Sequence, residues 1–142
     1  MGYTIENIVI IDDSDYKRDA VARYMQHIIP DAEIHQFDCV APAMKYLAVD
    51  RCKDIEQNGD SWLVITDMYM PIRRGGSIER TAGKRVLREL HRLEFACPVI
   101  AESSDPLDNE ELEHYYRGFI GSVLEDSSVC NEYKYEELLE DY

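Results

Sequence analysis

Three short runs of this 142-residue chain are continuously apolar and rich in β-branched residues: Ile8-Val9-Ile10-Ile11, Trp62-Leu63-Val64-Ile65 and Pro98-Val99-Ile100-Ala101. Each passes directly into polar residues, the pattern of a strand buried on both faces. Between them the period changes to that of a helix. Ser14 predicts a helix cap, followed by Ala20, Val21, Tyr24, Met25 and Ile28 on one face, with Lys17, Arg18 and Arg23 off it, until Pro30 closes the segment. Glu33 to Phe37 predicts a weaker strand with Ile34 as its core residue. A second helix is expected from Val40 to about Ile55, with Met44, Leu47 and Ala48 inward, Pro42 in its first turn and Asn58-Gly59-Asp60 after it. From Gly83, the residues Val86, Leu87, Leu90 and Leu93 keep helical spacing. Asp108 predicts the cap of a helix through Tyr116, Gly118 to Leu124 a last strand, and Asn131 to Leu139 a last helix.

The order is strand then helix, five times, without an internal repeat or a linker. Right-handed crossovers turn that order into an α/β fold: a doubly wound, five-stranded parallel sheet in a three-layer α/β/α sandwich. One domain is expected over residues 1–142.

Charge narrows the function. Fifteen Lys and Arg against 29 Asp and Glu leave a net −14, a field that repels phosphate backbones and anionic lipid, so nucleic acid and membrane are not expected partners. No apolar run reaches membrane-spanning length and MGYTIEN lacks a signal-peptide layout, so a cytoplasmic location is expected. Cys39, Cys52, Cys97 and Cys130 never approach a CxxC spacing, and no HExxH occurs. They are expected to be buried thiols in a reducing compartment.

In doubly wound sheets the functional crevice lies beyond the carboxyl ends of the strands. Those ends are acidic here: Asp12-Asp13 after the first strand, Asp67 after the third, and Glu102-Ser103-Ser104-Asp105 after the fourth. Neighbouring strands would bring Asp12 or Asp13 and Asp67 into one pocket, where crowded carboxylates raise one another's pKa unless a cation neutralises them. A hard, oxygen-seeking ion does this best, which points to Mg²⁺.

The segments Ile8-Val9-Ile10-Ile11-Asp12-Asp13, Leu63-Val64-Ile65-Thr66-Asp67-Met68-Tyr69-Met70-Pro71 and Pro98-Val99-Ile100-Ala101-Glu102-Ser103-Ser104 resemble, in matching order, the receiver domain of two-component response regulators. The resemblance implies a flavodoxin-like receiver topology and a stand-alone receiver without an output domain, acting in a phosphorelay rather than as an enzyme. It implies that Asp67 accepts a phosphoryl group and that Asp12 and Asp13 hold Mg²⁺ together with Asp67 and the Tyr69 carbonyl. Ser103 would hydrogen-bond the phosphoryl group, and Ser104 matches the small residue after it. Asp105 and Tyr69 would border the pocket and tune the lifetime of the acyl phosphate, and Phe119 matches a switch aromatic. The implied partners are a histidine kinase or phosphotransfer protein and a downstream protein, with a homodimer as a further possibility.

Two features depart from the family. It places a lysine near the end of strand five, where this chain has Gly121-Ser122, with no lysine between Lys84 and Lys134. The connection Ile72 to Ala82, opening with Arg73-Arg74-Gly75-Gly76, is longer than such connections usually are. Arg73 or Arg74 is the candidate substitute for the lysine. The alternative reading is a phosphorylation-independent pseudo-receiver that serves as a binding or dimerisation scaffold. A phosphohydrolase with Asp67 as nucleophile is weaker, because Tyr69 stands where an acid/base aspartate would be needed.

Overall fold

The computed structural model describes residues 4–126 and 130–142. In chain order it contains β1 (Asn7–Ile11), α1 (Asp15–Ile28), β2 (Glu33–Phe37), α2 (Val40–Lys45), α3 (Cys52–Gln57), β3 (Trp62–Asp67), β4 (Met70–Pro71), β5 (Ile78–Glu79), α4 (Ala82–Arg92), β6 (Val99–Ser103), α5 (Asn109–Tyr115), β7 (Phe119–Leu124) and α6 (Glu132–Asp141). Five strands form one parallel sheet in the order β2-β1-β3-β6-β7. The three strongest apolar runs supply its centre, β1, β3 and β6, because only central strands are covered on both faces. On edge strand β2, Glu33 and Gln36 are exposed and Ile34 is half-buried.

Strand alternation divides the apolar residues between two cores. Val9, Ile11, Val64, Val99 and Ala101 pack under Leu47, Val86, Leu87, Leu90 and Leu112 from α2 through α5. On the other face, Ile8, Ile10, Leu63, Ile65 and Ile100 pack under Val21 and Met25 of α1 and Tyr135 and Leu139 of α6. The sandwich expected from the pattern is therefore present. Among the described residues no helix is long and apolar enough to cross a membrane.

Two segments differ from expectation. The helix expected from Val40 to Ile55 is interrupted by a π turn at Tyr46–Asp50, closed by the Arg51 N–H donating to the Tyr46 carbonyl at 2.9 Å. The wide turn has a packing reason. Eight residues separate Leu47 from Ile55, about 80° off-face in an unbroken α-helix, and one extra residue in a wide turn reduces the offset to about 20°. Both side chains reach the core, while Ala48 is only half-buried. The long connection after Asp67 is a small hairpin, β4 paired antiparallel with β5, its tip turned by Gly75 at φ +80° and tied to the start of α2 by the Ala41 N–H donating to Ile72 O at 2.7 Å. The cysteines divide: Cys39 and Cys97 are buried, Cys52 is half-buried and Cys130 is exposed.

Gly83 lets α4 begin against the turn that carries Asp67. Its N–H donates to Met68 O at 3.1 Å, and a Cβ there would sit 2.8 Å from Met68 Cα and 2.9 Å from Asp67 O. Gly83→Ala is expected to lower stability by about 1–3 kcal/mol through overpacking, despite alanine's better helix propensity. The midpoint of urea denaturation measures it; an unchanged or raised midpoint would show that the backbone yields freely.

Candidate functional site

The parallel register sets three acids side by side at the carboxyl edge of the sheet. Ile11 pairs with Thr66, so Asp12 and Asp67 follow together, and Asp67 is itself the cross-strand partner of Glu102. By alternation all three belong to the positions that face α1 and α6. Carboxylate oxygens of Asp12, Asp13 and Asp67 lie within 4.8 Å of one another, as do those of Asp12, Glu102 and Glu125. Asp12 is fully buried, Asp67 is 7% exposed and Asp13 is exposed.

Backbone groups hold the first two acids in place. Asp12 Oδ1 accepts from Ser14 N at 2.9 Å, and the Asp12 carbonyl accepts from Arg18 Nη1 at 2.7 Å. Asp67 Oδ1 accepts from Met68 N at 2.7 Å and Tyr69 N at 3.4 Å. Asp67 Oδ2 has no such bond among the described residues. Burial, then the charge of Asp12, pushes the Asp67 carboxyl up to about 7, against the lowering effects of the Tyr69 N–H and the Lys17 ammonium. Asp13 is raised by partial burial and by Asp12.

Behind the pocket Glu102 is wholly buried, and burial followed by contact with Asp12 holds its carboxyl well above the usual carboxylate range. Tyr135 donates to Glu102 Oε2 at 2.6 Å. Asp12 Oδ2 and Glu102 Oε1 are buried without a hydrogen-bond partner among the described residues. Tyr135 thus ties α6 to the acid whose carboxylate lies within 4.8 Å of that of Asp12.

Ser103 is buried at the end of β6; its Oγ accepts from Asp105 N at 3.1 Å and its carbonyl from Glu125 N at 2.8 Å. Ser104 and Asp105 are exposed beside it, and Tyr69 is half-buried with Arg80 over its ring at 4.9 Å. Three further expected residues have surroundings of their own. Phe119 is buried opposite Val99 at the start of β7, the other end of the strand from Ser103, among core residues that include Tyr116 and Leu112. Arg74 is committed to Asp38 through two hydrogen bonds of 3.0 and 3.3 Å, and Arg73 is exposed on the hairpin. The acids' further neighbours Glu102, Glu125, Tyr135 and Lys17 carry weaker sequence signals. A lone glutamate inside an apolar strand marks Glu102, and a lysine one turn after an acidic pair marks Lys17.

No family model matches the sequence, and no curated protein matches it. Solved structures do. The CheX-CheY-BeF3-Mg²⁺ complex from Borrelia burgdorferi aligns with TM-score 0.72 at 14% identity, over 96% of this chain and 87% of that one. A response regulator receiver domain from Clostridium thermocellum gives 0.68 at 19% identity, over 96% and 93%. One from Rhodospirillum rubrum gives 0.65 at 18%, over 95% and 92%. This chain has the fold of response-regulator receiver domains. The receiver fold therefore places the acidic cluster at the carboxyl edge of its sheet, where doubly wound folds carry their sites.

The raised Asp67 carboxyl gives a pH dependence whose sign is fixed. Between about pH 4 and pH 7 the folded ion-free protein binds a proton there that the unfolded chain has released, so stability falls as pH rises, by up to about 1.4 kcal/mol per pH unit, and levels off above 7. The depressed carboxyls of Asp38, Asp54, Glu89 and Glu111 act only on the acid side, while the His35 imidazole, lowered by burial, opposes the fall below about pH 6.5, so the comparison with Asp67→Asn isolates the Asp67 contribution. Thermal melts in EDTA are expected to drop between pH 5 and 7.5, with a smaller drop in Asp67→Asn and a Mg²⁺-induced rise that grows with pH. Melts that climb over this interval would contradict the assignment.

Proposed function

We propose that this chain is a phosphoacceptor receiver in a phosphorelay, with Asp67 the residue that is phosphorylated. The observation that carries the reading is the convergence of Asp12, Asp13 and Asp67 oxygens within 4.8 Å at one end of the sheet, two of the three side chains being buried. Ordinary loops avoid that arrangement because crowded, desolvated carboxylates cost stability. The all-oxygen donor set, with buried Asp12 Oδ2 not bonded to any backbone group, fits Mg²⁺. Asp12, Asp13, Asp67 and the Tyr69 carbonyl would hold it; when bound it neutralises charge between Asp67 and an incoming phosphoryl group.

The residues of the chain do the rest by position. Asp67 Oδ1 is anchored by Met68 N, which leaves Oδ2 as the nucleophile. Attack at phosphorus of a phosphohistidine, from a histidine kinase or phosphotransfer protein, forms the acyl phosphate O–P bond and breaks the P–N bond. The departing imidazole keeps the electron pair and takes a proton. Ser103, at the end of the neighbouring strand, is the hydroxyl available to the new phosphoryl oxygens, and its movement would couple to the loop of Ser104 and Asp105 that it hydrogen-bonds. A downstream protein would read that change.

The pseudo-receiver scaffold is supported by one observation: the residue that follows β7 beside Ser103 is the acid Glu125. One experiment separates the two readings. Incubation with Mg²⁺ and acetyl phosphate, followed by intact mass measurement, is expected to add one phosphoryl group to the unaltered chain and none to Asp67→Asn. Asp13→Asn is expected to weaken Mg²⁺ binding, by at least the roughly tenfold associated with outer partners of a metal ligand. Mg²⁺ binding without any adduct would favour the scaffold.

A further inference from the structure

We propose that Lys17, held over the carboxylate pocket by Glu125, is the cation that binds the phosphoryl group on Asp67. This rests on the phosphoacceptor reading. It begins from a change of register that periodicity does not reveal. Val99 pairs with Phe119 but Ile100 pairs with Gly121, so a bulge takes up Ile120 and carries the end of β7 forward. Leu124 then stands opposite Ser103, and the Glu125 N–H donates to Ser103 O. The end of the fifth sheet strand therefore delivers an acid beside the hydroxyl residue, while Ser122 is turned to Asn109, its Oγ donating to Asn109 Oδ1 at 2.7 Å.

The opposite charge comes from α1. Ser14 caps the helix by accepting from Lys17 N at 3.3 Å, which fixes Lys17 in the first turn directly after Asp12-Asp13. Its ammonium lies 2.7 Å from Glu125 Oε2, with 42% of the lysine side chain exposed. Burial alone would lower the Lys17 pKa, but Glu125, Asp12 and Asp67 together hold it above its ordinary value, so all three acids act on this one ammonium. Lys17, Glu102 and Glu125 also line a cavity of about 270 Å³ beside α1, which gives the side chain space to move.

The other basic groups nearby are committed: Arg18 to the Asp12 carbonyl and Asp15, Lys134 to Leu124 O, and Arg80 to the Tyr69 ring. A phosphoryl group on Asp67 adds further negative charge and strong acceptor oxygens to a pocket already rich in anions. It competes with Glu125 for the ammonium, and Lys17 exchanges one partner for the other with its proton retained. Glu125, bonded through its backbone to Ser103, is released in the same event. A charge exchange between the end of β7 and the first turn of α1 thus supplies the cation that the resemblance would place on the last strand of the sheet.

The test uses the full chain with Mg²⁺ and beryllofluoride, followed by fluorine NMR. Lys17→Gln is expected to weaken beryllofluoride binding about tenfold or more, the scale of a lost charge-assisted hydrogen bond. Mg²⁺ affinity, measured separately by calorimetry, should hold or rise, because a competing cation has been removed. The exchanged pair Lys17→Glu with Glu125→Lys is expected to recover most of the beryllofluoride binding. Beryllofluoride binding by Lys17→Gln within twofold of the unaltered chain would overturn the proposal, as would a parallel loss of Mg²⁺ affinity, which marks a structural role. If the unaltered chain holds Mg²⁺ but binds no beryllofluoride, the phosphoacceptor reading itself fails and takes this inference with it.

Discussion

Mutual repulsion among buried carboxylates is the constraint around which this molecule is organised. Asp67 and Glu102 end or lie in two adjacent strands of a parallel sheet and Asp12 directly follows a third, so the register holds the three side by side. Their charge is contained in three ways. Glu102 is held well above the usual carboxylate range and accepts from Tyr135, Asp67 is raised to about 7 and anchored to Met68 N, and Lys17 pairs with Glu125, whose carboxylate lies within 4.8 Å of that of Asp12. Crowded, desolvated carboxylates of this kind are relieved when a cation joins them.

The scaffold supports that tension from both faces. On one side α4 is drawn against the Asp67–Met68 turn through Gly83, whose missing Cβ leaves room for the Met68 side chain and backbone. On the other, Tyr135 of α6 reaches the sheet to hydrogen-bond Glu102, joining the last helix to the acids. The last helix therefore contributes to the site as well as to the core. The hairpin β4–β5 adds a third restraint, because Arg80, just after it, covers Tyr69, which supplies one of the amides bonded to Asp67.

Much of this was legible in the chain. Three β-branched runs identify the central strands because burial on both faces leaves no polar alternation, and a capping serine with apolar spacing identifies α1. The acidic strand ends point to the pocket because residues just past a buried strand in this architecture meet at one edge. The segmented second helix and the hairpin were not legible. A π turn is a response to the spacing between Leu47 and Ile55 against a particular surface, and a two-residue strand pair has too few residues to show a period.

The amino-acid sequence by itself determined the layer order, the central strands and the aspartates at their ends, because hydrophobic period and strand termini are local properties. Only the tertiary structure decided which charges share the pocket. Lys17 and Glu125 are more than a hundred positions apart, and a bulge in β7 shifts which residue stands beside Ser103. Arg74, near in sequence to Asp67, is paired with Asp38 just past the end of β2. Electrostatic partnership falls off with distance in space, and sequence separation carries little information about that distance once a chain has crossed its sheet several times.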